Sequence, residues 1–552
     1  MAADTSNGPP EPIKRAEKGM RVVYDYVIIG AGSAGCVLAH RLSENQDTSV
    51  LLIEAGPADT SWFIHVPRGY RKIHRDPRLM WRFPVTAEAD RGEWSGSALG
   101  GKVLGGTSSI NSMLYVHGQP QDYDDWAAAG APGWSWRDIG PCFKRIEDHE
   151  LGESDTRGIG GPLHISCLRE GGPLCEAVIQ AGVGLGLPRR EDLNGIDQEG
   201  IGYFPATIKH GRRVSAARAF LVPIKRRANL TIITEAVVTR ILFEGTRAVG
   251  VACTIRGTPR KFRAGREIIL CAGALQSPKI LQLSGIGPGD HLGSLKIPVI
   301  CDSPGVGANL RDHWGLRLQY RLLGASGHNR WLRGIGLWMS AFRYLICRTG
   351  VLSTAIAEVG AFIKAMPGAS RPDAELHIDL FSVVRATNKI EPRPGLQCMI
   401  RSLRPESQGT VLVRSTDPAA PPAIRGNFLA AEYDRRLTVH MIGYARRLLC
   451  QPPLRKYLGE ETFPGPDCRA PKDIVDVCRR SGSLGCHFAG TCRMGQDRMA
   501  VVDATLRVRG VSGLRVVDCS IMPTLVSGNT NGPVMAIAWR AADLILTGSA
   551  HP

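Results

Sequence analysis

The chain has 552 residues, a formal net charge of +17 and 15 cysteines. That length suggests roughly two to four domains, and the scattered Lys and Arg, with no nucleic-acid motif, exclude a nucleic-acid partner in favour of a solvated basic surface. No uninterrupted apolar run reaches about 18 residues, so no membrane-crossing helix is expected, and the cysteines show neither C-x-x-C nor Cys/His zinc spacing, so no metal is expected.

Residues 1–22 are rich in Pro, Gly and charge and lack an apolar core. They read as a disordered tail and not as a signal peptide. Spread-out cysteines in apolar runs, such as Cys271 in IILCAG, fit free thiols in a reducing compartment. A cytoplasmic protein is expected, peripheral association with a membrane being the alternative that the basic charge leaves open.

Tyr24 to Gly56 organises the rest of the chain. Tyr26–Ile29 is an apolar run of buried-strand type, followed by Gly30, Gly32 and Gly35 in G-x-G-x-x-G spacing. The first glycine permits a tight turn, the second lets a pyrophosphate approach the backbone, and the third lets the next helix pack on the strand. That helix presents its N-terminal amides to a phosphate. A second strand, Val50–Ile53, ends at Glu54, about 20 residues on, where a carboxylate can accept from a ribose 2′-OH. Glu54 would repel a 2′-phosphate, so NADP is disfavoured, and this stretch alone leaves FAD and NAD open.

A loop-rich stretch to about Ala98 follows, then GGKVLGGTSSINSMLYVHG from Gly100 to Gly118. Its amides and hydroxyls at Gly105, Gly106, Thr107 and Ser108 can wrap a second phosphate, running into a helix start at INSMLY. Helices are expected through Ile139–Ile146 and Val178–Leu185, and β-structure from Leu230 to Cys271. From Trp314 to about Pro464 the texture changes. Strands at Leu316–Leu322, Glu375–Phe381, Gln397–Leu403 and Gly409–Val413 alternate with helices around Leu332–Cys347 and Ala431–Leu449. This predicts an antiparallel α+β unit. RWLRGIGLWMSAFRYLICR, which mixes Trp, Leu and Ile with Arg, reads as a helix packed on its own sheet, with a membrane-surface helix as the alternative.

Chemistry-bearing residues return after Ser481. His487 sits among small residues in GCHFAGTCRMG, and Asn531 opens a terminal helix. A neutral His can take a hydroxyl proton, and an amide can hold the alkoxide oxygen as charge develops. Together they suit alcohol oxidation, the hydride going to a flavin. Each alone is more often structural.

The glycine turn, GGKVLGGTSSINSMLYVHG, GALQSPKILQLSGIG, HFAGTCRMG and VVDCSIMPTLVSGNTNGPVMAIA, in this order from Asp25 to about Leu546, resemble the glucose–methanol–choline (GMC) family of FAD-dependent oxidoreductases. The resemblance implies a discontinuous Rossmann-type α/β FAD-binding domain with an α+β substrate domain built on an antiparallel sheet. The expected division is 23–313 for the FAD domain with substrate-domain segments inserted at roughly 155–225, 314–465 for the substrate domain, and 466–552 completing the FAD domain and active site. By motif match, Gly30, Gly32, Gly35 and Glu54 hold the ADP half. Gly105, Gly106, Thr107 and Asn111 lie near pyrophosphate and flavin, Val238 near adenine, and Asp518 near ribitol and phosphates. Ser33, Ala34, Ala55, Val103 and Asn531 complete the cofactor-binding set. His487 aligns with the catalytic His and Asn531 with the second catalytic position, which is His or Asn in the family.

Some members tether the flavin through a His that is replaced here by Ile110, so the FAD is expected to be non-covalent. Glu358 resembles an acid of choline-oxidising and other alcohol-oxidising members and could face a cationic substrate or serve structure. The activity implied is oxidation of a primary alcohol to an aldehyde, with electrons passed to a quinone or other acceptor. An oxygen-using oxidase, a choline dehydrogenase and a hydroxynitrile lyase are the alternatives.

Overall fold

Seven strands build the sheet that carries the glycine turn. The computed structural model describes residues 23–86, 95–168 and 171–548; the expected tail lies outside them. The first strand, β1 (Val23–Ile29), pairs in parallel with β2 (Val50–Ile53) and with the end of Thr258–Leu270. Leu230–Ile233 extends the parallel set beside β2, and Leu514–Val516 extends it beside Thr258–Leu270. An antiparallel meander, Ala236–Glu244, Arg247–Ile255 and Thr258–Leu270, completes the sheet. Helix α1 (Ser33–Leu42) and the last helix, Asn531–Gly548, pack into one core with this sheet. Near-continuous apolar strands such as VLLI are what burial on both faces requires.

The second large sheet is antiparallel. Its order is Leu458–Phe463, Trp314–Leu322, Gly395–Ser402, Ala374–Asp379, Val359–Ile363 and Gly200–Tyr203, with Ser483–Leu484 also on Trp314–Leu322. The Pro173–Gly184, Glu432–Leu449 and Pro471–Ser481 helices share its core. The fold is that expected: a Rossmann-type domain beside a sheet-based substrate domain.

Four local expectations are corrected. Thr410–Leu412 does not join the substrate sheet; it lies in a four-stranded sheet with Ala423–Arg425, Met80–Thr86 and Ser95–Gly101. Gln282 hooks it there, donating to Val411 O (2.9 Å) and accepting from Val413 N (2.9 Å). Two strands of that sheet come from the stretch read as loop. No helix starts at INSMLY: after a 3-10 turn at Gly106–Ser109, Asn111 Oδ1 accepts from Met113 N at 3.0 Å, and Met113 takes a φ of 65°. An Asx turn of this kind competes with helix initiation. Finally, the Gly334–Cys347 helix buries only Ser340 and Tyr344 and leaves its apolar side chains outside, so it is not a sheet-packed amphipathic helix.

All 15 cysteines stand free and eight are buried, acting as small apolar fillers, not crosslinks. Among the described residues, no helix is long and apolar enough to cross a membrane.

Candidate active site

A cavity of about 810 Å³ runs from the glycine turn to His487. Its wall includes Gly30, Gly32, Ser33, Ala34, Glu54, Ala55, Gly106, Thr107, Asn111, Val238, Asp518 and Asn531. Gly35, Val103 and Gly105 stand behind that wall. A Cβ on Gly35 would come 1.9 Å from Gly30 O, so only glycine lets α1 sit this close to the turn. Val103 is fully buried, and its carbonyl accepts from Gly106 N at 2.7 Å. Gly105 N donates to Ala31 O at 2.8 Å, joining the two glycine segments. At Gly32, by contrast, a Cβ would meet nothing within 4 Å. The backbone there faces open space, as close approach of a pyrophosphate requires.

Glu54 is buried and held by the amides of Ala31 (2.9 Å) and Gly56 (2.9 Å). Burial pushes its carboxyl up to about 7, those amides pulling the other way. Asp518 ties two loops together, accepting from Gly273 N (2.9 Å), Ser277 Oγ (2.5 Å) and Ser520 N (2.8 Å). Asn111 accepts from Arg213 Nη1 at 2.7 Å. Arg213 is fully buried, its other bonds go to the Ile64 and Ser108 carbonyls, and burial lowers its guanidinium to about 9.

His487 lies at the other end, in a buried relay. His313 Nε2 stands 2.9 Å from Leu403 O and 3.1 Å from Val526 O. Carbonyls only accept, so this nitrogen carries a hydrogen. Burial holds His313 down to about 4 and His487 well below the ordinary histidine range, so both rings are neutral at pH 7. A neutral His313 then offers a lone pair at Nδ1, and His487 Nδ1–H donates to it across 2.8 Å. That leaves a lone pair on His487 Nε2, to which Asn529 Nδ2 donates at 3.0 Å. Asp312 fixes the loop beneath, accepting from His487 N (2.7 Å) and Cys486 N (3.1 Å).

The amide beside His487 is therefore Asn529 and not Asn531. Asn531 Oδ1 accepts from Ser33 Oγ at 2.8 Å, in the glycine turn. Both asparagines line the cavity, but they serve different ends of it. His313, His487 and Glu375 also place one ligand-type atom each within 4.8 Å of one another, which is metal-like spacing among the described residues. Their nearest ring nitrogens are already engaged with each other, as a proton relay needs.

Family models described as GMC oxidoreductase match residues 24–315 and 405–538. The chain belongs to the GMC oxidoreductase family. It is 41% identical over 540 residues to the human mitochondrial choline dehydrogenase, covering 95% of this chain and 89% of that one. It is 38% identical over 533 residues to the alcohol dehydrogenase (acceptor) of Pseudomonas putida, covering 95% and 96%. The solved pyridoxine 4-oxidase of Mesorbium loti superposes with a TM-score of 0.86 at 32% identity, covering 95% and 99%.

As a GMC oxidoreductase, the protein is an FAD-dependent enzyme acting on CH–OH groups. The cradle fits that cofactor: Gly32 opens the turn, and a Cβ on Gly106 would stand 2.6 Å from Gly32 Cα, so the two glycine segments meet only because Gly106 lacks a side chain. Ile110, where some GMC members carry the tethering His, lines the cavity.

Glu358 does not line the cavity. It is buried, with Arg68 Nη2 at 3.1 Å and His328 Nε2 at 3.0 Å. Burial opposes its ionisation, yet His328 and Arg68 hold it down to about 2. Sequence reasoning missed Asn529, His313 and Arg213. The Asp312–His313 pair, two chemistry-bearing residues together just before the Trp314–Leu322 strand, was the signal for the second. For Arg213 the sequence carried none.

Proposed function

We propose that this GMC oxidoreductase oxidises an uncharged primary alcohol to an aldehyde and passes the electrons to a quinone-type acceptor. Gly30, Gly32, Ser33, Ala34, Glu54, Ala55, Gly106, Thr107, Asn111, Val238 and Asp518 are the residues that would hold FAD, without a covalent tether. When bound, FAD supplies the hydride acceptor. The alcohol hydroxyl displaces Asn529 from His487 Nε2, which takes the hydroxyl proton, and the freed Asn529 Nδ2 donates to the oxygen as its charge grows. The observation that carries this reading is the relay that leaves the Nε2 lone pair facing Asn529. Asn531 steadies the glycine turn instead of the alkoxide.

Choline is the second reading, favoured by the name of the human relative. Glu358, the acid suited to a quaternary ammonium, already faces Arg68 and His328, while Trp81, Phe83, Leu99, Ile110, Leu275 and Phe488 line the cavity. Aromatic faces attract a quaternary ammonium, but these residues offer it no opposite charge, so an uncharged substrate is the first reading. Anaerobic addition of aliphatic, benzylic and furanic alcohols and of choline to the purified flavoprotein tests this. Bleaching by the uncharged alcohols and slow recolouring in air supports it. Bleaching by choline alone overturns the substrate class, and rapid recolouring in air overturns the acceptor. No bleaching by any of them overturns the reaction and favours a lyase.

A further inference from the structure

The Gly334–Cys347 helix wears its amphipathicity inside out. Ile335, Trp338, Met339, Phe342, Leu345 and Ile346 recur at helical spacing and point outward, with Ile335 80%, Trp338 78% and Phe342 66% exposed. The inward face is small or polar and anchors the helix. Ser340 Oγ donates to Trp331 O at 3.0 Å, Tyr344 Oη donates to Gly211 O at 2.9 Å, and a Cβ on Gly336 would come 1.9 Å from Arg330 O. Trp62 and Phe63 extend the patch: both are partly exposed, and the Trp62 ring meets Tyr344 edge-on at 6.0 Å. A monomer rarely leaves so continuous an apolar face in water unless something covers it.

The charge around the patch says what covers it. Arg330, Arg333, Arg343 and Arg348 surround the helix and are exposed, with Lys72 and Arg75 beyond Phe63. No Asp or Glu occurs from Trp314 to Ala357 or from Ser61 to Arg75. A second copy docked here about a two-fold axis would set arginine against arginine. We propose that this face seats the protein on an anionic phospholipid bilayer, with Trp338, Phe342 and their neighbours in the headgroup–acyl boundary and the arginines on lipid phosphates. Tyr70 and His74 line the cavity, and they follow Trp62 and Phe63 in the same run of short helices. Docking would thus hold one wall of the cavity near the lipid. That an acceptor dissolved in the membrane is served this way rests on the proposed function; the docking itself does not.

The test is co-sedimentation of the FAD-loaded enzyme with vesicles of phosphatidylcholine plus phosphatidylglycerol, and of phosphatidylcholine alone. Wild type is expected to pellet with the anionic vesicles, less so in high salt. Trp338→Glu/Phe342→Glu should lower the partition by on the order of tenfold or more, with alcohol turnover on a soluble dye unchanged. Arg330→Gln/Arg333→Gln/Arg343→Gln should remove the salt-sensitive part. Wild type left in the supernatant, or the glutamate variant pelleting like wild type, overturns the proposal. So does a dimer that this variant splits in the absence of vesicle binding. Loss of alcohol turnover in wild type would instead strike the proposed function and leave the docking result standing.

Discussion

Replacing His313 tests whether the His487 tautomer is set by its neighbour. In the native relay, two hydrogen bonds bias His487 to its reactive tautomer, Nδ1–H to His313 Nδ1 at 2.8 Å and Asn529 Nδ2–H to Nε2 at 3.0 Å, and the first of them is the one His313 supplies. His313→Leu removes the acceptor and strands a buried N–H. An unsatisfied buried donor costs about 1–3 kcal/mol, charged here to the tautomer with the lone pair at Nε2. At about 1.4 kcal/mol per tenfold, the reactive population falls roughly 5- to 150-fold. The assay is the anaerobic rate constant of flavin bleaching at saturating alcohol, on protein whose flavin-to-protein ratio matches wild type. His313→Gln is the control, since its amide oxygen can accept from Nδ1–H while its NH₂ meets the Leu403 and Val526 carbonyls. It should recover most of the rate. A fully loaded His313→Leu enzyme that bleaches at the wild-type rate refutes the tautomer argument, because then nothing in the reaction depends on which nitrogen carries the hydrogen.

The two asparagines should separate by phenotype. Asn529→Ala should cut the bleaching rate by roughly tenfold or more with flavin retained, as loss of an oxyanion donor does, whereas Asn531→Ala should raise flavin dissociation more than it slows chemistry. Arg68→Ala leaves the Glu358 carboxylate with His328 as its remaining ionic partner; it should lower Tm and raise kcat/KM for choline relative to an aliphatic alcohol. The pH dependence has a definite sign. His487 is neutral down to well below pH 6.5, so the bleaching rate should stay flat through 6.5 and fall only at more acid pH. Its folded pKa, like that of His313, lies below the unfolded value, so the stability these rings lend is complete above about 6.5 and is lost as pH falls toward 4, read as a falling Tm.

How much of this was legible beforehand depends on what enforces each feature. The strand–turn–helix at Tyr24–Gly56 was, because backbone contacts enforce it: Gly35 cannot carry a Cβ beside Gly30 O, and that constraint leaves a glycine in the sequence. The antiparallel sheet was legible in three of its seven strands, Trp314–Leu322, Ala374–Asp379 and Gly395–Ser402, while Thr410–Leu412, read as a fourth, follows a long-range partner, Gln282, with no local mark. The site was legible to within two residues. SGNTNGP offers two asparagines, and the helix start drew attention to Asn531, yet side-chain direction set by tertiary contacts hands His487 to Asn529. Periodicity likewise found the Gly334–Cys347 helix but cannot say whether its apolar face turns toward a core or away from it.

The bond between Ser33 and Asn531 spans 498 positions. It closes the glycine turn with the opening residue of the last helix, so the cofactor cradle is built from the two extremes of the described chain. At about 5–20 residues per second, synthesis leaves the turn waiting roughly 25–100 s for its partner. The early strands and α1 can collapse in that time, but the grip on the dinucleotide cannot be complete. On the proposed assignment of these residues to FAD, flavin capture is a late step of biogenesis, and a chain released before the last helix would carry the fingerprint glycines without the bond that closes their turn.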